Sequence, residues 1–254
     1  MTDLTPEFSV KLASTPADLR AAQKLRYDVF VRELGSDGGM VDHVGGLEQD
    51  RFDAFCDHLM VFHRASGAVV GVYRLLRDDQ AARAGQFYSE DEYDLGVLKT
   101  GDRRLLELGR SCLHRDFRGG SAMHHLWTGL ADYVRRHQID ILFGVASFHG
   151  TDVAAIAQPL SRLHQAHLAP PELRVRARSA HFQRMDLIAP DRIDRKLAMR
   201  QTPALIKAYL RLGGVVGEGA FVDHAFNTTD VCLVLDTARM ETRQGRLYRA
   251  DSSG

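Results

Sequence analysis

The sequence predicts an α/β fold, a mixed central sheet flanked by helices, on three observations. Residues 105–113 and 139–145 are β-rich and apolar, and they bracket an amphipathic stretch over 122–137, the strand, helix, strand pattern of a parallel right-handed crossover. Residues 59–63 and 68–76 are a second pair of β-rich runs, joined by Arg64-Ala-Ser-Gly67 as an antiparallel hairpin. The chain has 254 residues, 44% hydrophobic and 26% charged. A chain of that size buries roughly 70–75% of its unfolded surface, so the core closes without disulfides or metal.

Taken in order, Phe8 to Leu12 alternates as a short strand does, and Thr15-Pro16 then opens a helix expected to reach about Leu34. Gly35, Gly38, Gly39, Gly45 and Gly46 break regular structure next, leaving a long loop of the kind that often carries function. After the hairpin and the strand over 105–113, the helix over 122–137 repeats Met123, Leu126, Trp127, Leu130, Tyr133 and Val134 at three- and four-residue spacing, which makes Trp127 a core residue. Residues 139–145 form a buried parallel strand. Thr151-Asp152 caps a helix over about 153–167, and 174–187 alternates as one long strand. A helix over 203–212, strands at Phe221-Val222 and 231–235, and a loosely held tail from Ala238 complete the chain.

Lys plus Arg equals Asp plus Glu at 33 each, so no global basic field points to nucleic acid. Locally, Asp37, Asp42, Glu48, Asp50, Asp53 and Asp57 face a single cation, Arg51, which makes either a cation-attracting surface or a solvated acidic loop. Residues 172–200 are arginine-rich and suit an acidic partner. Cys56, Cys112 and Cys232 form no Cys-x-x-Cys pair, which argues against zinc and against a secreted disulfide framework and makes a reducing cytoplasm the default. No signal peptide or apolar run of membrane-spanning length is seen. The adjacent His124-His125 diverge on a helix, no His-Glu-x-x-His occurs, and no Gly-x-Ser-x-Gly elbow is present, so no metal site and no serine hydrolase is expected.

The most informative stretch runs Leu105-Leu-Glu-Leu-Gly-Arg-Ser-Cys-Leu-His-Arg-Asp-Phe-Arg-Gly-Gly-Ser-Ala-Met123. A strand that passes through a glycine-containing loop into a helix presents free backbone N–H groups and the positive end of the helix dipole to an anion. The same Arg118-Gly119-Gly120-Ser121 is equally readable as a plain turn with a helix cap.

This order of elements, with Leu-Glu-Leu-Gly-Arg on its strand and the Arg118-Gly119-Gly120 loop behind it, resembles the GNAT acyltransferase superfamily. The resemblance implies a GNAT fold, one domain over 1–237 with a family-specific C-terminal extension over 170–237, and a tail over 238–254. It also implies a thioester donor whose pantetheine arm lies along the strand and whose phosphate sits at the helix start. The usual Arg/Gln-x-x-Gly-x-Gly/Ala loop is not matched, since Ser121 and Met123 stand at its glycine and Gly/Ala positions. A pyrophosphate asks for several converging donors and a single phosphodiester for fewer, so this loop favours acyl carrier protein over coenzyme A.

Two branches of the superfamily use that carrier. Arg26 with Phe30, Glu48-x-Asp50-x-x-Asp53, Arg74-Leu-Leu and Glu107 with Arg110 resemble the acyl-homoserine lactone synthases, which consume S-adenosylmethionine. Arg26-Tyr-Asp-Val-Phe30-Val-Arg-Glu33, Phe52-Asp53-Ala-Phe-Cys56-Asp57-His58-Leu59, Gly109-Arg-Ser-Cys112, Ala146-Ser-Phe148, Leu205-Ile-Lys-Ala-Tyr-Leu-Arg-Leu-Gly213 and Phe226-Asn-Thr-Thr-Asp-Val231 more closely resemble the L-ornithine N(alpha)-acyltransferases of ornithine-lipid biosynthesis, over about residues 20–235.

That second resemblance implies transfer of a 3-hydroxyacyl group from acyl carrier protein to the α-amino group of L-ornithine, giving lyso-ornithine lipid. Acyl-phosphopantetheine serves as donor substrate, and no cofactor is bound permanently. Glu107 is the first candidate for the base that deprotonates the amine, or else pairs with Arg110 or Arg74, and Glu48 and Asp50 are further catalytic candidates. Arg110, Ser111, Cys112, Leu113, Arg118, Gly119, Gly120 and Ser121 are candidates for the donor's seat, with N–H groups near 111–113 as the oxyanion site. Glu48, Asp50 and Asp53 are candidates to face the side-chain ammonium of ornithine, and Arg26 or Arg74 its carboxylate. Phe30, Ser147, Phe148, Asn227 and Asp230 complete the substrate candidates, the last two also fitting plain turn bonds. No tyrosine stands in 153–167 to protonate the leaving thiolate, which leaves His164, water or departure of the thiolate unprotonated. An amphipathic product adds an expected peripheral contact with the inner membrane. A lactone synthase and a non-catalytic acyl-carrier-binding module are the alternatives.

Overall fold

The computed structural model describes residues 7–36 and 40–239. Asp37, Gly38, Gly39 and the tail beyond Arg239 lie outside them. In chain order the elements are β1 (Phe8–Leu12), α1 (Pro16–Arg26), β2 (Asp57–His63), β3 (Ala68–Arg77), α2 (Asp78–Ala84), β4 (Tyr93–Asp94), α3 (Gly96–Lys99), β5 (Leu105–Leu113), α4 (Ala122–His137), β6 (Ile141–His149), α5 (Ala157–His167), β7 (Arg176–Ala177), β8 (Phe182–Gln183), α6 (Arg195–Gln201), α7 (Ala204–Arg211), β9 (Val215–Val216), β10 (Ala220–Asp223) and β11 (Thr228–Asp236).

The chain groups into two compact units. The first takes the residues up to Gly85 together with Leu108–Gln138. Its strands run in the order β1, β2, β3, β5, with β1 and β3 both antiparallel to β2. Thr15 accepts a hydrogen bond from the Asp18 amide at 3.1 Å, and Pro16 fills the first turn of α1, as the sequence predicts. From Tyr27 to Glu33 the helix continues in π form, a geometry that proteins keep mostly at functional sites. Ala22, Leu25 and Val29 pack with Met60, Val72 and Cys112, and Phe30 lies against this cluster. α4 packs on β1, β2 and β3.

The second unit takes Gln86–Glu107 and the residues from Ile139 on. β5 pairs in parallel with β6 over Leu105–Glu107 and Ile141–Phe143. β6 pairs antiparallel with β11 along its whole length, Ile141 facing Asp236 and His149 facing Thr228. β10 and β8 extend this edge, β9 pairs with β11, and β4 with β7 forms a separate two-stranded piece.

Three expectations are corrected. The strand after α4 runs over Ile141–His149, further than predicted. The helix expected from 153 begins at Ala157, because Asp152 turns its carboxylate onto the Ala154 and Ala155 amides and closes a turn first. The long strand expected over 174–187 is two dipeptide strands, β7 and β8, among short 3-10 turns. No described helix is long and apolar enough to cross a membrane.

Candidate active site

The first unit places three carboxylates against three guanidinium groups. Arg26 donates to Glu48 through Nε and to Asp53 through Nη1, the latter at 2.9 Å. Arg74 Nη1 donates to Asp50 at 2.6 Å and to Asp53 at 3.0 Å. Arg110 donates to Glu48 at 3.0 Å and to Asp50 at 3.2 Å. Gln23 completes Asp53 at 2.9 Å. Burial alone would raise the carboxyl of Asp53, but Arg26 and Arg74 outweigh it and hold Asp53 at about 2. Arg74 and Arg110 likewise keep Asp50 below its ordinary value against burial. Burial lowers His58, whose Nε2 lies 3.1 Å from the Asp53 carbonyl oxygen.

Glu48, Asp50 and Asp53 balance Arg26, Arg74 and Arg110 one for one, so they leave no net charge for a substrate ammonium. Arg26 is fully buried and Arg74 nearly so, and each donates to internal carboxylates. Phe148 is also fully buried and belongs to the core.

Arg110 has φ of +50° in the middle of β5. A non-glycine residue in the left-handed region departs from extended backbone, so strict alternation of side chains does not hold through Arg110. Cys112, two residues on, is buried, and burial pushes its thiol up to about 12. Arg118 donates from Nε to the Leu113 carbonyl at 3.1 Å and from Nη2 to Glu33 at 2.8 Å, with Nη1 on the other oxygen of Glu33. Gly119 takes φ of +77°, which suits glycine. The N-cap residue Ser121 makes no side-chain cap, and no acid stands in the first turn of α4. An anion can therefore approach these amides.

In the second unit Glu107 accepts hydrogen bonds from the Tyr88 and Ser89 amides, both at 2.7 Å, and from the Ser89 hydroxyl. It is 4% exposed. Three donors thus converge on its two oxygens. Ser147, exposed on β6, stands directly across from Asp230 on β11. Asn227 has φ of +52° and holds the turn between β10 and β11, its carbonyl accepting from the Gly150 amide at 2.8 Å. His164 lines a cavity of about 360 Å³ with Ser161 and Asp186.

Sequence reasoning missed Glu33, Ser89 and Gln23. Glu33 stands inside the quoted Arg26 to Glu33 motif, but no spacing ties it to Arg118, 85 residues away.

A GNAT acetyltransferase domain matches residues 25–128. Among solved structures, an N-acyl amino acid synthase from uncultured soil microbes superposes with a TM-score of 0.53 at 13% identity, covering 94% of this chain and 96% of that one. A CoA-dependent acyl-homoserine lactone synthase gives 0.53 at 13% identity, covering 94% and 89%. These likenesses show the fold. Fold and domain together define an N-acyltransferase of the GNAT class. The L-ornithine N(alpha)-acyltransferase of Rhodobacter capsulatus is 56% identical over 95% of this chain and 94% of its own length, and that of Brucella abortus 43% over 97% and 90%. The chain belongs to the L-ornithine N(alpha)-acyltransferase family.

Proposed function

We propose that the enzyme transfers a 3-hydroxyacyl group from the phosphopantetheine thioester of acyl carrier protein to the α-amino group of L-ornithine, forming lyso-ornithine lipid. The observation that carries this reading is the 56% identity to a protein of that acceptor specificity over 95% of the chain. The donor's pantetheine is assigned to Arg110, Ser111, Cys112 and Leu113, and its phosphate to Arg118, Gly119, Gly120 and Ser121. The uncapped start of α4 supports that seat, since one phosphodiester needs few donors.

In the reaction the amine nitrogen attacks the thioester carbonyl carbon, the C–N bond forms, the C–S bond breaks, and the thiolate takes up a proton. An α-ammonium with a pKa of about 8 is roughly one-tenth free amine at pH 7, so loss of its proton through water suffices. Glu107 enters as a positioning residue that fixes the 88–89 turn. Backbone N–H groups near Ser111–Leu113 are assigned to the developing oxyanion, where fixed dipoles act most strongly. The amphipathic product fits a peripheral contact with the membrane surface.

The test supplies purified enzyme with 3-hydroxyacyl carrier protein or the matching acyl-CoA, plus L-ornithine, and detects the amide by mass spectrometry. Amide formed faster from the carrier protein is expected. A lactone formed only with S-adenosylmethionine, or no product from any amine, would overturn the reading.

A further inference from the structure

Glu92, Asp223 and Asp230 come from three separate segments of the second unit, and one carboxylate oxygen of each lies within 4.8 Å of the others. Tyr93 builds this arrangement. Its ring is fully buried, and its hydroxyl lies 2.9 Å from the carbonyl of Asp230 and 3.0 Å from that of Gly219, tying the segment that carries Glu92 to β11 and to the start of β10. Asp223 spends Oδ1 on the Ala225 and Phe226 amides. Asp230 is 4% exposed, and its Oδ2 accepts from the Thr228 hydroxyl at 3.1 Å, while its Oδ1 is buried without a hydrogen-bond donor. Neither Asp223 nor Asp230 makes an ion pair among the described residues.

A buried carboxylate oxygen with no donor is rare in a folded protein and calls for a missing partner. Two further carboxylates beside it specify that partner as a cation. Burial raises the Asp230 carboxyl most, the Ser147 and Thr228 hydroxyls pull it back, Asp223 adds to the rise, and the net result is a carboxyl pushed up to about 6. Oxygens no more than 4.8 Å apart can receive a primary ammonium. A primary ammonium directs three N–H donors at tetrahedral angles, and with N···O contacts of about 2.8 Å its acceptors stand about 4.6 Å apart. Half-buried Asp223 and exposed Ser147, across from Asp230, leave the cluster open on one side. Burial raises the Cys232 thiol, and Glu107 and Glu92 raise it further, so both glutamates act on one residue of β11.

We propose that Glu92, Asp223 and Asp230 hold the side-chain ammonium of the acceptor amino acid, an inference that rests on the reading of the protein as an acyltransferase of ornithine. These residues then replace Glu48, Asp50 and Asp53, which internal arginines neutralise, as the source of acceptor specificity. An acceptor lacking the terminal amine would leave the buried Asp230 Oδ1 without that donor and bind poorly.

The test compares ornithine with norvaline, the same amino acid without its side-chain amine, in wild type, Asp223→Asn and Asp230→Asn. The wild type is expected to prefer ornithine strongly. In each variant KM for ornithine should rise about 30-fold, the size of a lost charge-assisted contact, with kcat within about threefold and the preference over norvaline largely gone. Wild-type KM and preference in both variants would overturn the inference while leaving the reading of function intact. No amide from ornithine with the wild type would overturn that reading itself. Calorimetric titration with Mg²⁺, Mn²⁺ and Ca²⁺ forms a separate arm, and tight binding that Asp223→Asn abolishes would make this a metal site and also overturn the inference. Asp223 is half-buried at the end of β10, so its variant serves if Asp230→Asn does not fold.

Discussion

Arg26 donates from Nη1 to Asp53 Oδ1 at 2.9 Å with both side chains withdrawn from solvent, and through this pair α1 is tied to the loop that precedes β2. Removing one member leaves the other charge buried and uncompensated, which typically costs about 3–5 kcal/mol. Arg26→Ala and Asp53→Ala should each lower the unfolding free energy by that amount, read as a fall in the urea midpoint at unchanged slope. Asp53→Asn should be milder, because its amide still meets Gln23. A midpoint unchanged in Arg26→Ala would show that the pair holds nothing.

The same pair sets an acid limit. Asp53 is held at about 2 in the folded chain, below an unfolded Asp at about 4. Its stabilisation is therefore present above pH 4 and lost as pH falls through 2, an effect of about 2 kcal/mol. Denaturation midpoints taken from pH 6 down to pH 2.5 should fall for the wild type and fall less for Asp53→Asn. Parallel curves would disprove the link.

Asp230 has the opposite sign. Its carboxyl is raised to about 6, so its contribution is favourable below about pH 4 and is lost as pH rises through 6. Asp230→Asn should then stabilise the ligand-free protein at pH 8, by about 3 kcal/mol at most, with the gain fading by pH 4. A variant that folds more tightly yet handles its acceptor worse is the signature of a group retained for function. Asp230→Asn less stable than the wild type at pH 8 would mean that the carboxylate is structural.

Most of the sheet was legible because periodicity records which face is buried. β5 and α4 carry the predicted limits, since a strand covered on both faces and a helix with an apolar stripe both write their ends into the chain. The stretch over 174–187 misled for the same reason. Val175 and Ala177 are indeed buried on alternate positions, but strand pairing is confined to two separate dipeptides, Arg176-Ala177 against Tyr93-Asp94 and Phe182-Gln183 against β10. In the candidate site the sequence singled out arginines and carboxylates that the first unit brings together, but their mutual pairing is a matter of distance, which spacing does not carry. Glu92 and Asp230 stand 138 positions apart in the chain and meet through the Tyr93 hydroxyl, so only coordinates bring them together.

Arg118 and Glu33 form a bidentate pair next to the proposed phosphate seat, Nη2 to Oε2 at 2.8 Å. Arg118 is partly exposed, so its loss should matter little for stability. For donor binding it should matter more. Arg118→Gln is expected to raise KM for the acyl donor about tenfold, an effect that shrinks with added salt, as a charge-assisted phosphate contact does. Glu33→Gln frees Arg118 from a competing anion and should leave that KM unchanged or lower it. An equal rise in KM for both variants would mean that the pair shapes the loop and that Arg118 does not meet the phosphate.

Glu107 separates a base from a brace. Its carboxylate gathers the Tyr88 and Ser89 amides and the Ser89 hydroxyl, and a glutamine in its place turns an N–H₂ group toward donors that need an acceptor. Glu107→Gln should therefore lower kcat about 10- to 100-fold by displacing the turn, and Ser89→Ala, which removes one of the three donors, should lower it less and in the same sense. A residue that acts by position leaves the titrations seen in the rate untouched, so kcat/KM against pH should keep its acid limb in both variants. If the limb vanishes in Glu107→Gln and persists in Ser89→Ala, the carboxylate takes the proton itself, and the brace reading fails.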